Sequence, residues 1–300
     1  MHAARQRPAG TAIHFAKMHG LGNDYVYIDG FAVSVPADPP ALARRISDRH
    51  RGVGGDGLIL VERSAVAAAR MRMFNADGSE SEMCGNGVRC VGHLVVSRGH
   101  APAGPVRIET GRGVLDLVVD PTGRRSSRVR VDMGEPILGP AQIPVDHPGE
   151  RVVDAPCSAL PSPQPWWEIA GLDPRMTCVS MGNPHVVFWC REVAAVPLEV
   201  FGARIETDPI FPARVNVHVV EVLAPDRVRM RTWERGSGIT QACGTGASAV
   251  CVAGVLGGRT GERIRAGLPG GDLDLEWTPG GHVFMTGPAE EVFEGVWSEA

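Results

Sequence analysis

Two cysteines, each set beside glycines, are the residues of this sequence best suited to chemistry. Cys84 lies in MRMFNADGSESEMCGNG, and Cys243 lies in a second version of that segment, MRTWERGSGITQACGTG. In both copies the cysteine comes nine positions after a polar residue, Asn75 or Glu234, and before Gly-x-Gly and an apolar run. The first turn of a helix offers unsatisfied N–H groups and a positive dipole, which favour a thiolate and a bound anion. We therefore expect two thiols that act as acid or base beside a docked carboxylate.

The two cysteine segments belong to a longer internal repeat. Four pairs of polar residues recur at an offset of 160 or 159 positions: Asn23 with Asn183, Asp56 with Asn216, Asn75 with Glu234, and Cys84 with Cys243. Self-similarity of this kind indicates a duplicated domain. We predict two lobes, residues 1–132 and 133–287, with the last strand, about residues 288–300, joining the first lobe.

Matched thiols in two lobes suggest a reaction at a stereocentre. If the two face each other across a cleft, one thiolate can remove a proton from one face of a carbon while the other thiol protonates the opposite face. Racemisation or epimerisation uses both groups, whereas a hydrolase or transferase does not. Inversion of an amino acid usually needs pyridoxal phosphate, and the single lysine, Lys17, argues against that cofactor. Two helix starts can stabilise the carbanion instead, so we expect no cofactor and no metal.

The elements that must position these thiols are two helices surrounded by strands. After the first cysteine, apolar spacing predicts a helix from Asn86 to Arg98, with Gly99 as its stop. The second helix, Gly246 to Leu256, has no charged residue, which is typical of a helix buried on all sides. Short alternating strands such as VRIETG and DLDLEW accompany both helices. The expected class is α/β in the α+β sense: two pseudo-symmetric lobes, each a curved, barrel-like, mostly antiparallel sheet around a central helix.

Composition places the chain among globular proteins that act on small molecules. Of the 300 residues, 43% are hydrophobic and 21% charged, and a net charge of −4 leaves no basic surface of the kind nucleic acid requires. The segment MHAARQRPAG lacks the apolar core of a signal peptide, and no run approaches the ~20 apolar residues of a membrane span. Seven cysteines without regular spacing fit reduced thiols. We expect a cytoplasmic protein with a small-molecule substrate and no nucleic-acid or membrane partner.

The polar residues around the cysteines indicate what that substrate carries. Glu234 and Arg235 place an anion beside a cation, as an ammonium group and a carboxylate would require. Uncharged donors and acceptors at matched places come from four asparagines, Asn23, Asn75, Asn183 and Asn216. One small amino acid needs fewer groups than this, so we expect a substrate with a second polar end.

Several segments together resemble the diaminopimelate epimerase family. In order along the chain they are FAKMHGLGNDY, GGDGLI, FNADGSESEMCGNGVRC, SMGNPH, RVNV and WERGSGITQACGTG. The resemblance implies a cofactor-independent epimerase that interconverts LL- and meso-diaminopimelate on the route to lysine and peptidoglycan. It also implies two similar α/β lobes, each a curved sheet around a central helix.

The resemblance also implies roles for individual residues. Cys84 and Cys243 correspond to the acid and base, and His185 and Glu234 correspond to polar residues that flank the reacting centre. The residues implied to bind substrate are Asn23, Asn75, Gly85, Asn86, Asn183, Asn216, Glu234, Arg235, Gly244 and Thr245. Two pairs among them, Gly85 with Asn86 and Gly244 with Thr245, are implied to hold the α-carboxylate at the helix starts. A family position that is sometimes glutamine is Gly57 here, so we expect no side-chain contact from it.

Two other interpretations of the cysteines stay open. The first is a racemase of another amino acid, such as proline or histidine, with the same two-thiol chemistry. The second is a thiol redox or metal-binding module in which Cys84 and Cys243 form a disulfide. A structural zinc site of Cys84, Cys90 and His93 has unsuitable spacing.

A homodimer is the quaternary state to test. The remaining cysteines are expected to be inert buried residues, namely Cys90, Cys157, Cys178, Cys190 and Cys251.

Overall fold

The computed structural model describes residues 12–81, 85–160 and 163–298, and Cys84 lies outside these described residues. The chain divides into two compact units. The first unit contains the chain up to Gly20, Asp24–Ser127 and the chain from Ala289 onward, and the second contains Leu21–Asn23 and Arg128–Pro288. Domain boundaries after residues 132 and 287 stay a prediction.

The first half of the chain forms eight strands and two α-helices within the described residues. The strands are β1 (Ala12–Gly20), β2 (Asn23–Asp29), β3 (Gly57–Glu62), β4 (Ala69–Asn75), β5 (Glu80–Ser81), β6 (Gly104–Thr110), β7 (Gly113–Gly123) and β8 (Ser126–Asp132). The helices are α1 (Pro39–Ile46) and α2 (Gly85–Ser97). Helix α1 begins after Asp38, whose Oδ1 accepts a hydrogen bond from the Ala41 N–H at 3.0 Å. This cap and the prolines that follow it explain why the helix begins there.

The second half of the chain forms nine further strands and three α-helices within the described residues. The strands are β9 (Ala155–Pro156), β10 (Arg175–Ser180), β11 (Pro184–Cys190), β12 (Asn216–Ala224), β13 (Arg227–Glu234), β14 (Gly238–Thr240), β15 (Arg263–Leu268), β16 (Gly271–Trp277) and β17 (Val283–Ser298). The helices are α3 (Pro165–Ala170), α4 (Leu198–Glu206) and α5 (Gly244–Leu256), with a short 3-10 helix at Val193–Ala195. Helix α5 begins at Gly244, two residues earlier than the apolar run predicts.

The strands of the first unit pair mostly in antiparallel fashion. The last part of β17 pairs antiparallel with β1, and β1 pairs with β2. Strand β3 pairs parallel with β2 and antiparallel with β4. Strand β4 also pairs antiparallel with β5 and parallel with β6, which pairs antiparallel with β7. The two parallel pairs, β2 with β3 and β4 with β6, are each connected through a helix, α1 or α2.

The second unit repeats this order of elements and pairing directions. Strand β11 pairs antiparallel with β10 and parallel with β12, and β12 pairs antiparallel with β13. Strand β13 also pairs antiparallel with β14 and parallel with β15, which pairs antiparallel with β16. Helices α4 and α5 connect the two parallel pairs. The internal repeat predicted from the sequence is therefore a repeat of topology as well.

Strand register defines the repeat residue by residue. Equivalent cross-strand pairs lie 159 positions apart, Leu58 with Phe74 in the first unit and Val217 with Trp233 in the second. Asn216, which precedes Val217, therefore corresponds to Gly57 and not to Asp56, with which the sequence comparison paired it. A Cβ atom at Gly57 would lie 2.1 Å from the Phe74 carbonyl oxygen, so the first unit has no room for a side chain there.

The helices after the two cysteine motifs are each packed against strands of their own unit. Helix α2 contacts β1, β4, β6 and β7, and α5 contacts β10, β11, β12, β15 and β16. Between Gly244 and Gly254 every residue of α5 except Thr245 is buried, as its uncharged sequence predicts. Both helices are followed by a glycine with positive φ, Gly99 at 75° and Gly258 at 63°. The predicted class is confirmed: an α+β fold of two similar units, each with mostly antiparallel strands around a helix.

Candidate active site

Cys243 lies at the start of helix α5. It occupies the N-cap position with φ −130° and ψ 104°, and it is 4% exposed. The Ala247 N–H donates the first helical hydrogen bond to the Cys243 carbonyl oxygen at 2.9 Å. The N–H groups of residues 244–246 therefore precede the hydrogen-bond ladder of the helix. A buried thiol here sits at the positive end of the helix dipole, where negative charge is stabilised.

Three residues predicted from the sequence are linked to the Cys243 sulfur. Thr245 Oγ1 lies 3.6 Å from Cys243 Sγ, and Asn183 Nδ2 donates to Thr245 Oγ1 at 3.3 Å. Asn183 lies in the turn before β11, and His185 is the second residue of that strand. His185 Nε2 lies 3.0 Å from Asn183 Oδ1. The thiol, a hydroxyl, an amide and an imidazole thus follow one another within hydrogen-bonding distance.

Two residues that the sequence analysis did not select continue this series. His185 Nδ1 lies 2.9 Å from His218 Nε2, and His218 Nδ1 lies 2.9 Å from Thr232 Oγ1. The side chains of His185 and His218 are both 0% exposed. Burial lowers the pKa of His218 to about 3, because a charged ring would lose its hydration. His218 is therefore neutral near pH 7 and carries one N–H. We call the series the histidine chain: Cys243, Thr245, Asn183, His185, His218 and Thr232.

Asn216 connects two chain segments at the start of β12. Its Nδ2 donates to the Pro184 carbonyl oxygen at 2.8 Å, and its Oδ1 accepts from the Arg235 N–H at 2.9 Å. The Arg235 side chain is exposed, and its Nη1 donates to the Ala213 carbonyl oxygen at 2.8 Å. Asn216 therefore holds the turn after β13 beside the start of β11. Substrate binding by Asn216 and Arg235 stays a prediction.

Glu234, the last residue of β13, is held by its neighbours. Its Oε1 accepts a hydrogen bond from Thr240 Oγ1 at 2.5 Å. The turn that follows is supported by Glu206 of α4, whose carboxylate accepts from Trp233 Nε1 at 2.7 Å and from the Gly236 N–H at 3.0 Å. Glu206 is 5% exposed, so these hydrogen bonds replace the water that a buried carboxylate would lose. The carboxylate of Glu234 is thereby kept at the end of its strand.

The start of helix α2 contains a buried cation in the first unit. Arg89 is 0% exposed; its Nη1 donates to the Gly85 carbonyl oxygen at 3.3 Å and its Nη2 to Asn86 Oδ1 at 3.0 Å. A guanidinium in the first turns adds positive charge to a helix start that already favours anions. The sequence analysis missed Arg89, although a charge inside an apolar helical run is a signal for it. Cys84, the residue before this helix, lies outside the described residues.

Asn75 and Asn23, both predicted to bind substrate, lie at strand ends. Asn75 ends β4; its Nδ2 donates to Ser79 Oγ at 2.9 Å, and its N–H donates to the Ser79 carbonyl oxygen at 2.8 Å. Asn23 begins β2 and is grouped with the second unit, together with Leu21 and Gly22. Their binding roles stay predictions.

Lys17 belongs to a group of charged residues in the first unit. Its Nζ lies 2.6 Å from Asp24 Oδ2 and also donates to the Gly54 carbonyl oxygen. Arg49 contacts Asp24 at 2.7 Å and Asp56 at 2.9 Å. Burial raises the pKa of Asp24, but hydrogen bonds from Arg49 and Lys17 outweigh this effect and hold it below its ordinary value. The buried lysine thus has a partner of opposite charge, as buried charges require.

Four of the other cysteines have the properties of inert thiols. Burial raises the pKa of Cys157 to about 11 and the pKa of both Cys190 and Cys251 to about 12, and it raises the pKa of Cys178 as well. A thiol with a raised pKa forms little thiolate near pH 7, and the thiolate is the reactive form. These residues therefore fit the packing role predicted for them.

The described residues contain neither a cluster of metal-ligating side chains nor a membrane-spanning helix. In residues 12–81, 85–160 and 163–298, no group of three or more His, Cys, Asp or Glu side chains is placed to hold a metal ion. The proposed zinc alternative includes Cys84, outside those ranges. Within the same part of the chain, no helix has the length and apolar character needed to span a membrane.

The fold and the position of Cys243 define a class: duplicated α+β proteins with a buried cysteine at a helix N-terminus. The fold is similar to that of a phenazine biosynthesis protein of the PhzF family from Bacillus anthracis, with a TM-score of 0.67 and 16% identity over 96% of this chain and 100% of that chain. It is also similar to a probable proline racemase from Agrobacterium radiobacter, with a TM-score of 0.65 and 17% identity over 96% of this chain and 93% of that chain. At these identities the similarity concerns the fold.

Sequence comparison identifies the family within this class. The family described as diaminopimelate epimerase matches residues 15–139 and 177–292. A diaminopimelate epimerase from Pelotomaculum thermopropionicum is 49% identical over 286 residues, which cover 94% of this chain and 98% of the relative. One from Moorella thermoacetica is 48% identical over 284 residues, with the same coverage. The chain belongs to the diaminopimelate epimerase family and is an isomerase. The resemblance seen in the sequence motifs is confirmed.

Proposed function

We propose that this protein is a cofactor-independent epimerase that interconverts LL- and meso-2,6-diaminopimelate, and so supplies precursors of lysine and peptidoglycan. Membership of the family supports the substrate, since the named epimerases are 49% and 48% identical, whereas the probable proline racemase is 17% identical. The observation that carries the mechanism is the buried thiol of Cys243 at the N-cap of α5, hydrogen-bonded to the helix's own Thr245.

Cys84 and Cys243 are the acid and base of the proposed reaction. One sulfur, as thiolate, takes the α-proton, and the electron pair of the broken C–H bond stays on the α-carbon and its carboxylate. The other sulfur, as thiol, delivers its proton to the opposite face of that carbon. The centre is inverted, nothing is oxidised or reduced, and the two sulfurs have exchanged protonation states at the end of each turnover.

The helix starts stabilise the charge that develops on the substrate. Backbone N–H groups at Gly85 and Asn86, and at Gly244 and Thr245, donate to the α-carboxylate, whose charge increases as the carbanion forms. Donors that are already fixed by a helix need no reorganisation during the reaction. The buried guanidinium of Arg89 adds to the positive potential at the first of these starts.

The remaining polar residues recognise the substrate's other groups. Glu234 binds an ammonium group and Arg235 a carboxylate, while His185 supports the reacting centre. The second polar end of diaminopimelate is held by uncharged side chains, namely Asn23, Asn75, Asn183 and Asn216. Thr240 donates a hydrogen bond to the Glu234 carboxylate and so holds it in place for pairing with a cation.

We also propose a cytoplasmic enzyme whose two lobes are residues 1–132 and 133–287, with about 288–300 added to the first. Two-thiol chemistry needs reduced sulfurs, which a reducing compartment maintains. The six described cysteines are free thiols. A homodimer is the proposed quaternary state, supported by exposed apolar side chains on the last part of β17, where Val292, Phe293 and Val296 are 48%, 42% and 53% exposed. Sedimentation equilibrium of the reduced protein tests the dimer.

The activity is tested by incubating the reduced protein in D₂O, without pyridoxal phosphate, with LL-diaminopimelate or with L-proline in parallel. We expect deuterium at the α-carbon of diaminopimelate, together with formation of the meso isomer, and no exchange into proline. Exchange into proline alone would favour the racemase alternative. Absence of exchange into either amino acid, with a disulfide that cycles between Cys84 and Cys243, would favour the redox module.

A further inference from the structure

The histidine chain has a direction, which the amide of Asn183 sets. Asn183 Nδ2 donates to Thr245 Oγ1 at 3.3 Å, so its Oδ1 is the atom within 3.0 Å of His185 Nε2. An amide oxygen accepts hydrogen bonds and cannot donate them. The proton between these two atoms therefore belongs to His185, on Nε2.

The donors at the next two residues follow if His185 is neutral. A neutral imidazole with its one proton on Nε2 has a lone pair on Nδ1, which accepts a hydrogen bond. His218 Nε2 lies 2.9 Å from this nitrogen, so the single proton of the neutral His218 ring is assigned to its Nε2. His218 Nδ1 then accepts from the Thr232 hydroxyl at 2.9 Å. Every step of the chain runs from Thr232 toward His185 and on to Asn183.

At its other end the histidine chain reaches the sulfur of Cys243. Thr245 Oγ1 accepts from Asn183, which leaves the Thr245 hydroxyl proton for another acceptor. Cys243 Sγ lies 3.6 Å from that oxygen, within the range of hydrogen bonds to sulfur. In this direction Thr245 donates to the sulfur, which favours a thiolate. With the direction reversed, Thr245 would donate to Asn183 and the thiolate would lose this donor.

The first unit shows that the fold does not require polar residues at the positions of His218 and Thr232. Strand register pairs His218 with Thr232 in the second unit and Ile59 with Met73 in the first, at equivalent positions of the repeat. Ile59 and Met73 are both buried. An apolar pair therefore satisfies the packing of this site, and the buried histidine adds polar groups that need partners of their own.

Helix α5 is shaped to accept the ring of His218. A Cβ atom at Gly246 would lie 2.2 Å from His218 Cε1 and 2.8 Å from Nε2. The absent side chain at Gly246 thus lets the ring lie directly against the first turn of the helix that begins with Gly244. The ring is confined by this contact and by its two hydrogen bonds, so it can orient the residues it touches.

We propose that His218 is a positioning residue: it holds His185 as the Nε2–H tautomer, which orients the Asn183 amide so that Thr245 donates its hydroxyl proton to the Cys243 thiolate. This inference rests on the proposed function of Cys243 as acid and base. In this role His218 acts through His185, with which it shares a hydrogen bond of 2.9 Å. Without a donor from residue 218, His185 can take the Nδ1–H tautomer, and the Asn183 amide then turns over to donate to Nε2.

The tautomer is measured directly on the resting, substrate-free enzyme. Two-bond ¹⁵N–¹H correlation spectra of protein labelled at histidine nitrogen distinguish the Nε2–H ring, the Nδ1–H ring and the doubly protonated ring. His185→Gln identifies the signals of His185 by their loss. We expect wild-type His185 to be a neutral Nε2–H ring. A proton on Nδ1, alone or in a doubly protonated ring, overturns the proposal, and this result needs no variant of His218.

Two substitutions of His218 distinguish the effect of losing the hydrogen-bond donor from the effect of losing the ring's volume. His218→Phe keeps a ring but has no donor, and His218→Gln places an amide N–H near the position of Nε2. We expect His218→Phe to change the His185 tautomer and to lower kcat about 10-fold to 100-fold with a smaller change in KM, the scale of one lost hydrogen bond to a charged group. His218→Gln should keep the wild-type tautomer and recover most of the rate.

Three outcomes of these substitutions would contradict the positioning role. If His218→Phe lowers kcat while His185 keeps its Nε2–H tautomer, the residue acts only through packing. If both variants lose the same rate, or if neither loses any, the donor has no function. A wild-type enzyme with the expected tautomer but no deuterium exchange into diaminopimelate would instead contradict the proposed function, and the arrangement of the histidines would stand.

Discussion

A methyl group at Gly246 tests the fit between helix α5 and His218. In Gly246→Ala the new Cβ would lie 2.2 Å from His218 Cε1, far inside the contact distance of about 3.5 Å between carbon atoms. The ring has hydrogen bonds of 2.9 Å on both nitrogens, so it cannot swing away without breaking at least one of them. The substitution must therefore displace the ring or the helix start.

The expected loss of stability in Gly246→Ala follows from these contacts. Overpacking a core costs about 1–3 kcal/mol, and each hydrogen bond lost at His218 adds about 1 kcal/mol. Alanine is better than glycine inside a helix by about 0.5–1 kcal/mol, which offsets part of this. We expect Gly246→Ala to lower the free energy of unfolding by about 1–4 kcal/mol. Urea unfolding with an unchanged m value measures it.

A double substitution provides the control. In a His218→Ala background the three atoms nearest to the new methyl group, all of them in the His218 ring, are absent, so the helix propensity of alanine dominates. Gly246→Ala should then be neutral or stabilise the protein by up to about 1 kcal/mol. An equal cost in both backgrounds would show that the contact between Gly246 and His218 does not cause the destabilisation, and it would refute the reasoning.

Three further predictions concern the thiol, one carboxylate and the buried cysteines. Thr245→Val, which keeps the shape but removes the hydroxyl, should lower kcat about 10-fold to 100-fold, whereas Thr245→Ser should keep most of it; a Val variant within about threefold of wild type would contradict the hydrogen bond to sulfur. Hydrogen bonds from Arg175, with a smaller contribution from Arg259, lower the pKa of Asp173 to about 2. Its stabilisation is therefore complete above pH ~4 and is lost as the pH falls toward 2, so Asp173→Asn should cost about 1–2 kcal/mol at pH 7 and almost nothing near pH 2 in urea titrations. A cost that does not change with pH would contradict this assignment. Iodoacetamide at pH 7.5 should leave four native thiols unmodified in peptide mass spectra, those of Cys157, Cys178, Cys190 and Cys251; rapid alkylation of any of them before unfolding would contradict their inert role.

The features that could be predicted from the sequence are those carried by local pattern. The charge-free run from Gly246 to Leu256 predicts a helix buried on all sides, and the observed helix contacts five strands of its unit. Asp38 followed by two prolines predicts the start of α1, because the cap and the fixed φ act within one turn. The matched motifs predict two similar units, since a repeated sequence repeats its topology.

The features that escaped prediction depend on strand register. His218 lies in VHVVEV, which has the composition of a core strand, and its partner Thr232 is known only once β12 is aligned with β13. One signal was present: His218 follows Asn216 by two positions, so both side chains lie on the same face of the strand. Strand register also explains why the sequence comparison matched Asn216 to Asp56 and not to Gly57. Offsets of 160 and 159 positions both occur in the repeat, and only the hydrogen-bonded pairing of the strands decides which one applies to Asn216.

The central claim is that Cys243 exchanges the α-proton, and a pair of substitutions in one helix tests it most directly. Cys243→Ala and Cys251→Ala each remove one buried sulfur from the same part of the second unit. Epimerisation of LL-diaminopimelate in D₂O, followed by mass and chirality of the product, should fall at least about a thousandfold in Cys243→Ala, the scale of a lost acid–base group. It should stay close to the wild-type rate in Cys251→Ala. Inversion by Cys243→Ala within tenfold of the wild-type rate would contradict the mechanism.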